Sequence, residues 1–339
     1  MIQRFWIPVL AALMTLVPHA DSLAHDSVRD RIARLAEKDS ITVLVTDSGL
    51  GGLSVCADIE SRARQTGLYR QIRIIFANAL PESNRGYNKM KSAADKIRVF
   101  NGALHGMAGW YAPDAILVAC NTLSVLIPQT PFVASATIPV LGIVETGVEM
   151  LFERLVNEPK STAIIFGTET TIEAGTHRQL LIEKGIDSAR VVPQACPNLA
   201  GEIEADAQSD MVRTAVDLFV SDALERLNRK DDKVLAGLCC THYGYIAGQF
   251  GESLRSQGIA DAEVIDPNAR MSDVLFPQGK PRRSEKPDIR VEVVSRALIS
   301  PAEIASIGAL VEPVSPSTAE ALRNYTLKRD LFPFTPEEN

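Results

Sequence analysis

The chain has 339 residues, 46% of them hydrophobic and 6% aromatic, with a mean hydropathy close to zero. That balance excludes a disordered chain and a polytopic membrane protein, and the length suits two domains of ordinary size. A net charge of −7 with no run of lysines and arginines argues against nucleic acid as a partner, while leaving a small anionic substrate possible.

In chain order, the first segment stands apart. Arg4 is the only charge ahead of an apolar run from Phe5 to Val17, and small residues follow at Ser22 and Ala24. The pattern predicts a signal peptide over 1–24, cut after Ala24 or else Ala20, and hence a periplasmic or secreted protein. The run is too short to cross a bilayer, so no stable membrane anchor is expected. From Ile41 onward, short β-branched runs alternate with longer amphipathic stretches. The runs predict buried parallel strands at 41–47, 72–79, 115–120, 162–168, 190–195 and 233–239. Helices are predicted at 53–65, 93–111 and 210–227, so the class is α/β with parallel or mostly parallel sheets. A polar, Pro-rich stretch at 278–289 reads as a surface loop. A strand at 291–295 and a helical stretch at 301–328 follow it, and a loosely held tail is expected from Phe332 on.

Three strands recur about 120 residues later: 41–47 pairs with 162–168, 72–79 with 190–197, and 115–120 with 233–240. The last pair ends alike, in Cys120-Asn121-Thr122 and Cys240-Thr241-His242. Open α/β sheets bind ligands at the carboxyl ends of their strands. Two such halves, packed about an approximate two-fold axis, would bring both cysteines to one cleft.

The five cysteines, at 56, 120, 196, 239 and 240, are odd in number and contain no CxxC pair, which speaks against a disulfide framework and against zinc. Neighbours Cys239 and Cys240 cannot face one site from a strand, because side chains alternate. Thiols titrate close enough to neutrality to serve as base or acid, so two of them on opposite faces of a carbon could take its proton from one side and return one on the other. His242 stands two residues from Cys240 and could hold it as thiolate or feed it a proton. Asp47 could serve Cys120 from the neighbouring strand end. Asp47-Ser48-Gly49-Leu50-Gly51-Gly52 falls between a strand and a helix. Its spacing fits neither a dinucleotide fingerprint nor a P-loop, but it offers a carboxylate, a hydroxyl and backbone N–H groups suited to a substrate carboxylate.

The segments VTDSGLGGLSV (45–55), VACNTLSV (118–125), IPVLGIVETG (138–147) and CCTHYGY (239–245) resemble the aspartate/glutamate racemase superfamily, and its glutamate racemase branch in particular. The resemblance runs from about residue 40 to 325. It implies two similar parallel-sheet α/β domains related by a pseudo-two-fold axis, with the active site in the cleft between them. The first domain would be 38–143 plus 263–328, the second 144–262, and 329–339 a tail.

The resemblance also implies roles. Cys120 and Cys240 match the proton-transferring thiols, Asp47 and His242 the groups that assist them, and Glu204 a glutamate supporting the His242 side. Ser48, Asn121, Thr122 and Thr241 match residues that hold the substrate's amino and carboxylate groups, and Thr171 a threonine lining the substrate. Tyr87 and Asn88, within Gly86-Tyr87-Asn88, stand where the family has Pro-Tyr-Gly, and are expected to bind substrate. Two departures are plain: Asn78 replaces an aspartate ahead of that segment, and Gly244 a proline after the CTHY motif. The family turns over without pyridoxal phosphate, metal or nucleotide, so no cofactor is expected. The expected partner is an amino acid, glutamate or aspartate, and the sequence leaves a homodimer open. A racemase of another amino acid or a hydantoin, and a periplasmic amino-acid-binding protein without turnover, are the competing readings.

Overall fold

The computed structural model describes residues 27–83, 85–227 and 233–335; the segment read as a signal peptide lies outside them. Ten strands form among the described residues, the longer ones built from the apolar runs of the sequence: β1 (Ser40–Asp47), β2 (Gln71–Asn78), β3 (Ala115–Val118), β4 (Val140–Gly142), β5 (Thr162–Gly167), β6 (Val191–Ala195), β7 (Val234–Cys239), β8 (Ala262–Ile265), β9 (Asp288–Ser295) and β10 (Thr326–Leu327). They build two sheets, a six-stranded one in the order β10-β9-β2-β1-β3-β4 and a four-stranded one in the order β6-β5-β7-β8. Every pairing is parallel.

The repeat therefore extends one strand further than the sequence suggested. β2-β1-β3-β4 and β6-β5-β7-β8 run in the same order, so β4 and β8 are a fourth matched pair. Both are only three or four residues long, too short to stand out from their surroundings. β8 pairs with β7 in the second sheet, so the chain returns to the first sheet after Ile265 and not at 262.

Central strands β1 and β5 are apolar on both faces because helices cover both sides. The helix Ile143–Asn157 links the sheets. Its Val144, Val148, Leu151 and Leu155, spaced as one helical face, share a buried cluster with Ile116 and Val118 of β3, Ile165 of β5 and Leu235 of β7. The C-terminal region differs from expectation in two ways. The stretch 301–328 is two helices, Pro301–Val311 and Pro316–Arg323, followed by β10. The supposed tail is docked: Leu331 and Phe332 are fully buried, and Arg296 donates to the Phe332 carbonyl. Those two apolar residues in a polar end were the missed signal. Among the described residues, no helix is long and apolar enough to cross a membrane.

Candidate active site

The carboxyl ends of β1, β3 and β7 carry the chemistry. β1 ends in Asp47, followed by the turn that starts the helix Leu53–Thr66. Cys120 follows β3 and precedes the short helix Asn121–Ser124; Cys240 follows β7 and precedes the 3-10 turn Thr241–Ile246. The two cysteines thus occupy the same place in the two repeats. The alternation argument also holds, since Cys239 packs into the cluster shared by the sheets while Cys240 joins the core of the second.

Around Cys120, the sulfur lies 3.1 Å from Ser48 Oγ. Burial pushes this thiol well above its ordinary range, and the Asp47 carboxylate pushes it further, with the Ser48 hydroxyl working against both. Asp47 does not bond the thiol directly: its Oδ2 accepts from Thr241 Oγ1 at 2.7 Å. Its Oδ1 is buried without a hydrogen-bond partner among the described residues.

Around Cys240, the sulfur lies 3.7 Å from His242 Nδ1, and His242 Nε2 lies 2.6 Å from Glu204 Oε1. Burial of His242 favours the neutral ring, but the Glu204 carboxylate and the contact with Cys240 outweigh it and raise its pKa well above normal. The ring is thus held between the Glu204 carboxylate and the second thiol, where it can carry a proton to Cys240. Glu204 Oε1 also accepts from the Leu50 backbone N–H at 2.6 Å. One N–H of the Asp47–Gly52 turn, expected to be free for a substrate, is thus spent on Glu204.

Glycines let the two lobes meet here. A Cβ on Gly51 would sit 2.3 Å from Thr241 Oγ1 and 2.8 Å from both the backbone nitrogen and Nδ1 of His242. Only a residue without a side chain allows the β1 turn to lie on the Cys240 turn at this distance.

The remaining expected residues divide. Thr122 Oγ1 is 2.8 Å from Thr168 Oγ1 and 3.5 Å from Thr171 Oγ1, so Thr122 and Thr171 join a buried hydroxyl cluster between the ends of β3 and β5. Asn121 Oδ1 is 3.1 Å from His177 Nε2, and its Nδ2 is buried without a partner. Burial lowers His177 to about 4, so it is neutral. Tyr87 is buried, its hydroxyl donating to the Ala79 carbonyl at 3.2 Å, whereas Asn88 is exposed and outside this gathering. Asn78 Oδ1 accepts from the Leu80 N–H at 2.8 Å, a local turn that an aspartate would make equally well. Gly244 has no space for a proline, because the Asp266 carboxylate and Asn268 amide occupy it. Sequence reasoning missed His177 and Thr168, which the folded chain brings to Asn121 and Thr122; Thr168 opens the same TETTI stretch as Thr171, whereas nothing local marks His177.

Residues 43–270 match the profile of the Asp/Glu/Hydantoin racemase family. The chain belongs to that family. Similar proteins include the glutamate racemase of Aquifex pyrophilus, 27% identical over 67% of this chain and 79% of that protein. Another is the glutamate racemase of Methylococcus capsulatus, 30% identical over 60% of this chain and 68% of that protein. Among solved structures, the glutamate racemase of Francisella tularensis in complex with D-glutamate superposes with a TM-score of 0.61 at 21% identity. It covers 81% of this chain and 94% of its own. The Bacillus anthracis isoform RacE1 superposes with a TM-score of 0.59 at 22% identity, covering 80% and 93%. These structures share the fold, and family membership makes the chain an isomerase of the amino-acid racemase class.

Proposed function

We propose that this racemase interconverts the enantiomers of an acidic amino acid, glutamate first, by moving the α-proton between Cys120 and Cys240. One observation carries the reading: two thiols at equivalent ends of repeated sheets, each held by its own partner and joined through the Asp47–Thr241 bond. One thiol takes the proton as thiolate while the other, protonated, supplies one to the opposite face. Ser48 positions the first, and the His242–Glu204 pair keeps the second supplied. The unpartnered Asp47 Oδ1 suits the substrate ammonium, and Asn121 Nδ2 suits its α-carboxylate, which accounts for two orphaned buried atoms at once. The relatives named glutamate racemase support glutamate as the first substrate to try.

Export belongs to the same proposal, resting on the Phe5–Val17 run and the small residues that follow. Purified protein without added cofactor, incubated in deuterated water with each enantiomer of glutamate and aspartate, should incorporate deuterium at the α-carbon. Binding without exchange would make it a binding protein instead, and N-terminal sequencing of envelope protein tests the export.

A further inference from the structure

Lys96 is buried, with 9% of its surface exposed, and its Nζ donates to Thr170 Oγ1 at 2.7 Å. Among the described residues no carboxylate forms an ion pair with it. The acids close by are directed elsewhere: Asp95 caps the helix start with Ser92, and Glu169 and Glu173, on the helix that carries Thr170, are exposed. An ammonium taken out of water and given one hydroxyl keeps most of its desolvation cost, so buried charges are nearly always paired.

The place of this cation is informative. Thr170 sits between Thr168 and Thr171, whose hydroxyls lie 3.0 Å apart and reach Thr122, two residues from Cys120. Tyr87, shortly before the helix of Lys96, shares a buried cluster with Cys120, and burial above all, then the Cys120 thiol, holds its hydroxyl well above its ordinary range. Lys96 is therefore bonded to the helix whose Thr171 reaches Thr122, the second residue after Cys120, and its ammonium has further N–H donors to offer a ligand.

We propose that Lys96 is a specificity-determining residue, the counter-charge for the side-chain carboxylate of an acidic amino-acid substrate. This rests on the racemase reading above and adds the contact that separates glutamate from glutamine. A carboxylate there completes the coordination of the ammonium; an amide leaves the charge unpaired. Lys96 would otherwise be a latch, holding the first-sheet helix to the Thr170 helix, and a latch is indifferent to substrate charge.

The test compares the native enzyme with Lys96→Gln, Lys96→Met and Lys96→Arg, all checked for folding by thermal melting. α-Deuterium exchange and calorimetric binding are measured with glutamate and with glutamine. Lys96→Gln should lower kcat/KM for glutamate by about 10²-fold, mainly through KM, while changing glutamine little, with Lys96→Arg in between. Equal losses on both substrates, or none, would overturn the assignment in favour of a latch. A native enzyme that exchanges only neutral amino acids would overturn it together with the acidic substrate, leaving the proton transfer between Cys120 and Cys240 intact. Glutamate binding that depends on Lys96 without any exchange would uphold the assignment and defeat the racemase reading.

Discussion

Thr241 Oγ1 donates to Asp47 Oδ2 at 2.7 Å, a hydrogen bond between residues 194 apart in sequence that ties the end of β1 to the turn after β7. It links the surroundings of the two thiols, since Asp47 adjoins Ser48 on the Cys120 side and Thr241 adjoins Cys240. Thr241→Val leaves the Asp47 carboxylate buried with neither oxygen bonded, and should cost about 1–3 kcal/mol of stability. Combining it with Asp47→Asn in urea melts should give a total well short of the sum. Additive effects would mean that the bond does not couple the two lobes.

Each cysteine should be indispensable in its own way. Cys120→Ser and Cys240→Ser should each reduce racemisation by at least about 10³-fold, since a serine hydroxyl is a far weaker base than a thiolate. Each variant should retain some α-proton exchange from one enantiomer only, with opposite preferences, readable by mass spectrometry in deuterated water. The same residual preference in both would refute a thiol on each face.

Two glycines should behave oppositely. Gly51→Ala drives a methyl into Thr241 and His242, so activity should collapse while the melting transition falls only modestly. Gly109, exposed in the helix Ala93–Tyr111, has nothing within 4 Å of a new Cβ, and Gly109→Ala should stabilise by about 0.5–1 kcal/mol without touching activity. Indistinguishable variants would show that the lobes are not in such close contact at Gly51.

The carboxylate beneath Gly244 gives a pH signature. Burial raises Asp266 from 3.8 to about 6, opposed by the Asn268 N–H it accepts. The folded state thus holds this proton more tightly than the unfolded chain does. The resulting stability is complete below about pH 4 and is lost as pH rises through the folded value near 6. Asp266→Asn removes the charge, so the variant should be more stable than the parent by about 1–3 kcal/mol at pH 7, with the difference shrinking toward pH 4. A constant difference across that range would assign the effect to packing.

Much of this was legible from residues alone because strands of a parallel sheet announce themselves as apolar runs and strand ends carry the ligands. Cys120, Cys240 and the Asp47 turn stood out for that reason, as did the repeat. What stayed hidden depends on contacts between residues far apart. Nothing local marks Lys96 as buried or Asp47 as the partner of Thr241. The two buried residues at 331–332 lay in a polar context that read as solvent-exposed. Nor does the sequence show that Ser48, the residue after the strand end, is the one whose hydroxyl lies against the Cys120 thiol while Asp47 accepts from Thr241.

The unequal dressing of the two thiols, the Ser48 hydroxyl beside Cys120 and the His242–Glu204 pair beside Cys240, has a kinetic meaning. Mirror-image amino acids have equal free energy in water, so an enzyme that interconverts them cannot shift their ratio from unity. The two directions must therefore share one value of kcat/KM, however different the bases are. The asymmetry can appear only inside that ratio, as a tighter, slower handling of one enantiomer and a looser, faster handling of the other.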